Sequence, residues 1–464
     1  MAESGSRGRI IMECTKKFYN MKIIVVDLAK SSAEILPLSS QLLVENIGGA
    51  AVNLSLFDQY RDDDPLILGV GPLTGSFAPA SCLLVATFCA PMSGKICHIP
   101  LMLQAGPEMK FSGIDFMIIK GVAEQKQGLY IDDGIVKFLP ANHIQQLNIP
   151  EAMNVLRQSD HGLPRFTILT GPAADNGVFH AAISLGMWGS LDKSGLAWWM
   201  AKKNLKAIIF RGTGGLRFGH DNLAMGRKMA QYITSYNQFK KEGFITILDR
   251  LGVETEVRKI IVKSKKKDLA CYNCPFPCMS YVEFKWRDPR LKRGRKIEEG
   301  MFLLDHTGFI AMARKRQANT LVLMRECLRL GLDTSAVARM LPQEGTLAAS
   351  LDFIAEMAKI ADKKTKMDEN LARNELCQGR IPLKEYALFG LGMPPILSGD
   401  AGVDSNFWEK RIAMSMILGV CPILMLLFPD INMVDMLKFV TVKNEDLEYL
   451  QDTISSRIQS ILLK

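Results

Sequence analysis

The sequence predicts an α+β protein, β-rich in its first part and mainly helical in its second, from two textures along the chain. From Met21 to about Gly212, runs of strand length rich in β-branched and aromatic residues alternate with glycine and proline. Beyond Gly215 the apolar residues recur at helical spacing instead. A chain of 464 residues has room for two or three domains and a large core. The division expected is an extension over 1–20, a β-rich domain over 21–212 and helical domains over 213–464.

The strands expected in order are MKIIVVDL from Met21, PLILGVG from Pro65, FMIIKGV from Phe116, GLYIDDGIVKF from Gly128, FTILTG from Phe166 and KAIIFRG from Lys206. Each is bounded by turn residues. Asp133-Gly134 between Ile131 and Ile135 marks a hairpin, because a tight two-residue turn needs residues that tolerate positive φ. In the second part, Leu321, Met324 and Leu328 share a helix face that Gly331 should terminate. Leu347, Leu351, Ile354 and Ala358 share another, and EDLEYLQDTISSRIQSILLK forms a last amphipathic helix.

Composition narrows the function. Hydrophobic residues are 48% and charged ones 23%, as in a soluble globular protein. The opening MAESGSRGRI has no signal-peptide pattern. The most apolar stretch, Ile412 to Phe428, is shorter than the roughly 20 residues of a spanning helix and contains Gly419 and Pro422, so a buried segment is expected and no membrane span. Ten cysteines at uneven spacing do not make a disulfide framework. They suit a metal in a reducing compartment, the cytoplasm.

The net charge of +9 is concentrated in Lys263 to Asp268 and Lys285 to Lys296, runs that flank a cysteine group. They read as solvated loops or as a docking surface for an acidic partner. Nucleic acid is excluded, since only Trp286 interrupts the second run and no stacking pattern accompanies it.

Cys271, Cys274 and Cys278 form C-x2-C-x3-C, with Pro275 and Pro277 shaping an irregular loop. Thiolates converging from one tight loop suit an iron–sulfur cluster, whose fourth ligand can come from far away. Zinc more often pairs two C-x2-C units or adds histidine. The fourth ligand is open among Cys14, Cys82, Cys89, Cys97, Cys327, Cys377 and Cys421. Cys421 is favoured because Gly419 allows a close backbone approach and Pro422 ends the turn.

Several collinear segments resemble the aldehyde ferredoxin oxidoreductase family. Val70-Gly-Pro-Leu-Thr-Gly-Ser-Phe-Ala-Pro79 is similar to its tGPLTGTxAP, Pro91-Met-Ser-Gly94 to its PLTG and Gly106-Pro-Glu-Met-Lys110 to its GPELK. Lys203-Asn-Leu-Lys-Ala-Ile208 is similar to SKNLKAI, Leu330 to Ser335 to LGLDTIS, and Leu418-Gly-Val-Cys421 to LGLC. The resemblance runs from about Met21 to about Asn444 and identifies the chain as a divergent, shortened member. It implies an N-terminal β-sheet domain forming the base for a tungsten or molybdenum bis-pterin, covered by helical domains. It also implies a [4Fe–4S] cluster on Cys271, Cys274, Cys278 and Cys421, with electrons passing to a ferredoxin as carbonyl compounds are oxidised.

Asp333 matches the last position of the family's pterin-binding D-x-x-G-L-D, and Glu298-Glu299 fall near an acidic segment facing the metal. The leading acidic positions of the two pterin motifs are here Leu328 and Met416, and an expected arginine is Leu83. Ile99 to Gln104 lacks the small residues and amides of the family, and an arginine–glycine run becomes Lys193-Ser194-Gly195, followed by Trp198 and Trp199. A family segment supplying an active-site histidine is shortened. Phosphates buried in protein need cations and amide donors, so the expectation is an iron–sulfur protein with an altered pterin pocket. It would work with a ferredoxin-like acidic protein or a catalytic partner subunit. The alternatives are an active carbonyl oxidoreductase using the pterin, or a purely structural cluster.

The remaining signals read as ordinary structure. Glu298-Glu299 suit a solvated helix start better than an acid/base pair, and His306 reads as a core histidine. Gly212 to Gly215 lacks a dinucleotide fingerprint, and Asp62 to Asp64 reads as a turn. The oligomeric state and the substrate are not readable.

Overall fold

The computed structural model describes residues 17–91, 94–158, 162–216, 227, 243–250, 253–291, 294–360, 405–427 and 444–463. Its first sheet has six strands in the order β2-β1-β6-β3-β4-β5. These are β1 (Lys22–Asp27), β2 (Ser32–Pro37), β3 (Leu66–Val70), β4 (Leu84–Cys89), β5 (Ile96–Leu101) and β6 (Phe116–Lys120). Only β1 and β6 run parallel; the other neighbours are antiparallel. β3 is buried at every residue. The helix Gly49–Gln59 lies across this sheet, where Asn53 donates to the Val85 carbonyl at 2.9 Å.

A second sheet has the order β10-β9-β11-β7-β8, from β7 (Gln127–Asp132), β8 (Ile135–Pro140), β9 (Phe166–Thr170), β10 (Ile183–Leu185) and β11 (Leu205–Arg211). The β7–β8 hairpin turns at Asp133 and Gly134, both at positive φ, as their sequence demands. Buried pairs join its surroundings: Asp175 takes Lys206 at 2.6 Å and Lys126 at 2.6 Å.

The second part is mainly helical but carries a third, antiparallel sheet of β12 (Lys265–Leu269), β13 (Met279–Trp286) and β14 (Ile297–Leu303). Two expectations change here. Lys263 to Asp268 is not a loop; most of it is the edge strand β12, which lysines protect from further pairing. Glu298 and Glu299 do not start a helix but lie in β14 opposite Lys285 and Phe284. Cross-strand pairing overrode the local preference, since β13 supplied a partner edge.

The helices Thr320–Leu330 and Leu347–Met357 follow the expected faces, and the first stops at Gly331 with φ 68°. The last helix is Asn444–Leu463. The apolar stretch from Ile412 is split between the helices Ser405–Leu418 and Pro422–Leu427, whose described side chains are buried or partly buried from Arg411 to Met425. No described helix is long and apolar enough to cross a membrane.

Candidate metal centre

Three separate segments meet where the cysteines lie. The loop from Cys271 to Cys278 joins β12 to β13. The turn Leu418 to Cys421 follows the helix Ser405–Leu418, and residues 71–83 link β3 to β4. Backbone bonds hold this third segment between the other two. Ala80 N–H donates to the Asn273 carbonyl at 2.9 Å, while Cys421 N–H donates to Ala80 O at 2.9 Å. Leu73 N–H reaches Leu418 O at 3.0 Å, and Asn273 Nδ2 reaches Ala78 O at 2.9 Å.

The glycines in these segments are required by space. A Cβ on Gly71 would stand 2.2 Å from the Leu418 carbonyl carbon. One on Gly419, at φ 85°, would stand 2.0 Å from Thr74 Oγ1. Lys110, the lysine of the Gly-Pro-Glu-Met-Lys segment, is buried and donates to Thr74 O at 2.9 Å and Phe18 O at 2.8 Å. Burial lowers its pKa to about 8.

Three non-glycine residues with positive φ surround the thiols: Ala80 at 54°, Leu103 at 68° and Asn273 at 48°. Strain of this kind persists where neighbouring structure enforces it. At Leu103 the result is visible, because its N–H points at Cys271 Sγ at 3.3 Å while its carbonyl accepts from Tyr272 N–H at 2.8 Å.

Cys271, Cys278 and Cys421 are each at most 7% exposed, and Cys274 is half-buried. Cys278 interacts electrostatically with Cys271, Cys274 and Cys421, which groups all four thiols. Burial pushes the Cys274 and Cys278 thiols well above their ordinary range. Cys421 is held lower, first by the neighbouring Cys82 thiol. Buried thiols that resist ionisation alone are stabilised as thiolates by a metal group, so the donor set fits an iron–sulfur cluster. Among the described residues no three such side chains converge closely enough for a single metal ion; a cubane spaces its thiolates more widely than one ion does.

The other cysteines part company here. Cys14 and Cys377 lie outside the described residues. Cys97 and Cys327 are buried elsewhere, beside Asp192 and Asp333 respectively. Cys82 also lies at this group: its thiol pKa is pushed well up, first by Cys271, then by Cys421 and by burial. The sequence hid it because it stands alone in Ala80-Ser81-Cys82-Leu83, with no spacing motif.

The positions matched to pterin contacts are occupied. Lys193 Nζ donates to Asp333 Oδ1 and to Asp305 Oδ2, each at 2.7 Å, and all three side chains are at most 8% exposed. Burial opposes the charge on Lys193, but the two carboxylates outweigh it and raise its pKa. Burial likewise pushes Asp333 up, and Lys193 more than reverses that. Asp333 also accepts from Ser335 N–H at 2.8 Å, capping the helix Thr334–Met340.

Leu328 stands over Gly189, and the cavity bounded by Leu328, Lys193, Asp305 and Asp333 measures about 10 Å³, about the space of one water. Leu83 and Met416 are fully buried and Leu103 is 9% exposed. These described residues do not fit a pterin phosphate.

The weaker candidates have structural partners. Glu299 accepts from Trp286 Nε1 at 2.7 Å and pairs with Arg325, while exposed Glu298 pairs with Lys285 at 3.2 Å. His306 is a core histidine as expected, and its Nε2 bonds the Cys278 carbonyl at 2.7 Å, bracing the cysteine loop. The basic run after Trp286 is not beside the cysteines. β13 has eight residues and separates the two by about 26 Å at roughly 3.3 Å per residue. Lys265 to Lys267, on β12, are the basic residues nearer the loop. Lys292 and Arg293 lie outside the described residues.

The chain thus combines a sheet-based first part, a mainly helical second part and a buried thiol group, and comparison with known proteins shows what it is similar to. Residues 23–212 match the family model described as aldehyde ferredoxin oxidoreductase, N-terminal domain. This match covers less than half of the chain, and over it the chain is similar to that family's N-terminal domain. It is 25% identical over 381 residues to the tungsten-containing aldehyde ferredoxin oxidoreductase of Pyrococcus furiosus, covering 74% of this chain and 60% of that one. With the aliphatic sulfonate oxidoreductase, WOR-like subunit, of the same organism it shares 27% over 313 residues, 57% of this chain and 50% of that one. The chain thus spans at most about three fifths of the length of these curated relatives. The fold is similar to a chain of the active-site complex BamBC of benzoyl coenzyme A reductase bound to 1,5-dienoyl-CoA. The TM-score is 0.70 at 15% identity, covering 96% of this chain and 89% of the other.

Proposed function

We propose that the protein binds one [4Fe–4S] cluster through Cys271, Cys274, Cys278 and Cys421 and uses it to relay electrons, in concert with a catalytic partner subunit or an acidic ferredoxin-like protein. The observation that carries this reading is the convergence of four thiols from one short loop and one distant turn, on a strained, hydrogen-bonded frame. The domain division at about residue 212 and a cytoplasmic location belong to the same proposal. A relative described as a subunit favours a partner.

A second reading, an active carbonyl oxidoreductase with a tungsten or molybdenum pterin, is favoured by the tungsten in the names of relatives. The Lys193–Asp305–Asp333 group and the filled space at Leu328 weigh against it. Metal and pterin analysis of anaerobically purified protein separates the two. The first reading expects about four irons per chain, as one cubane implies, with no stoichiometric tungsten, molybdenum or pterin. Either heavy metal near one per chain would establish the second, and absence of iron would end the first.

A further inference from the structure

Asp305 and His306 are consecutive residues at the start of the helix His306–Arg316, and their side chains serve two different groups. Asp305 Oδ2 accepts from Lys193 Nζ at 2.7 Å, and the same ammonium holds Asp333, which caps the helix Thr334–Met340. The other oxygen, Asp305 Oδ1, accepts from Gly308 N–H at 2.9 Å and Thr307 Oγ1 at 3.0 Å. One carboxylate thus ties the first helical turn to the ammonium. That turn has little room to shift. A Cβ on Gly308 would stand 2.1 Å from Asp305 Oδ2 and 2.8 Å from Thr334 Cβ.

The next side chain reaches the cysteine loop. A carbonyl can only accept, so His306 Nε2 carries the ring proton and donates to Cys278 O at 2.7 Å. The ring stacks on Phe244 with centroids 4.4 Å apart, and Phe309 meets Phe244 edge-on at 5.7 Å. Beside Phe244, a Cβ on Gly243 would stand 2.0 Å from Pro277 O, so this helix end packs directly on the loop. His306 is fully buried, and among the described residues its Nδ1 has no hydrogen-bond partner. The ring therefore has one polar task, at the carbonyl of Cys278.

We propose that the Lys193–Asp305 pair positions the cysteine loop through His306: it fixes the helix start that holds the Nε2 donor at Cys278, and cluster retention depends on it. This rests on the reading of Cys278 as a cluster ligand. A buried carbonyl left without its donor is costly, so the loop relaxes away from the geometry that presents the Cys278 sulfur. Asp305 and His306 are positioning residues in this account, and neither touches iron.

The test follows the transfer of iron from anaerobically purified protein to a chelator, read from the cluster spectrum, with urea unfolding measured alongside. His306→Phe keeps the stacking on Phe244 and loses the donor. It should release iron roughly tenfold faster than the parent, the size of one lost buried hydrogen bond. His306→Gln keeps a donor at the Nε2 position and should restore slow release. Asp305→Asn keeps the helix cap and weakens the tie to Lys193, and should speed release by a smaller factor. Added to His306→Phe it should have no further effect, because it acts through the missing donor. His98→Phe, at another buried histidine, is the control and should lower the urea midpoint without faster release. Parent-like release from His306→Phe would overturn the proposal, as would a full added effect of Asp305→Asn in the double variant or equal acceleration by His98→Phe. If His306→Phe does not fold, Asp305→Asn decides against the same control: faster release supports the proposal and equal release overturns it. A parent without iron would instead overturn the cluster reading itself.

Discussion

The ammonium of Lys193 lies 2.7 Å from the carboxylate of Asp333, both side chains sealed from solvent. Asp305 completes the group at 2.7 Å. A carboxylate that matches a cofactor contact by sequence is thus committed to an internal ion pair and a helix cap.

Removing the cation should show how firmly that group closes the site. Lys193→Met leaves two buried carboxylates unpaired and should destabilise the protein by about 3–5 kcal/mol, read from urea unfolding. Adding Asp305→Asn and Asp333→Asn removes the orphaned charges and keeps a capping side chain. The triple variant should recover most of the loss.

Ligand assignment can be read from iron. Cys274→Ser and Cys421→Ser should each lose most of the roughly four irons, because a hydroxyl is a poor substitute for a soft thiolate. Cys327→Ser, in the helix Thr320–Leu330, should keep them.

The frame should matter as much as the ligands. Gly419→Ala forces a Cβ to within 2.0 Å of Thr74 Oγ1 at φ 85°, a strain worth about 1–3 kcal/mol. It should lower both the urea midpoint and the iron content. Gly215→Ala is the control, since a Cβ there meets nothing within 4 Å.

Electron exchange with an acidic ferredoxin should depend on the lysines nearer the cysteine loop. Reversing Lys266 and Lys267 to glutamate should slow stopped-flow exchange more than reversing Arg287 and Arg295 at the far end of β13. The difference should shrink as salt shortens the Debye length below about 8 Å. Equal effects of the two reversals would leave both runs as solvated surface.

His98 gives a pH dependence. Its ring is buried against Thr87 Oγ1 at 2.8 Å, and burial lowers its pKa to about 3, against about 6.5 in an unfolded chain. As pH falls below 6.5 the unfolded chain takes up a proton that the folded one excludes, so stability present above pH 6.5 is lost toward pH 3. By pH 4.5 this one group should remove about 2–3 kcal/mol. Urea unfolding at pH 7 and pH 4.5 should show a smaller drop for His98→Gln than for the parent.

Much of the frame was readable because its causes are local. The strands at Met21, Pro65, Phe116, Gly128, Phe166 and Lys206 stand in the structure, as does the turn at Asp133-Gly134. β2, β4, β5 and the third sheet were not read. In β12 the run of lysines hides a strand that exists only because β13 offers it an edge, and Glu298 and Glu299 were misread for the same reason. The basic run after Trp286 flanks the cysteines in sequence, but the eight-residue strand β13 lies between the two.

The sequence by itself determined the β-to-helix order, the turn chemistry and the resemblance to a family, since strand periodicity, glycine geometry and short collinear motifs are properties of neighbouring residues. It also marked the three loop cysteines, whose spacing is local. Tertiary structure alone decided that Cys82 stands beside Cys271 and Cys421, that Lys193 neutralises Asp305 and Asp333, and that Leu103 turns its N–H toward a sulfur. Each of these joins residues far apart in the chain. Burial made them consequential, because polar groups removed from water must find partners wherever the fold places them.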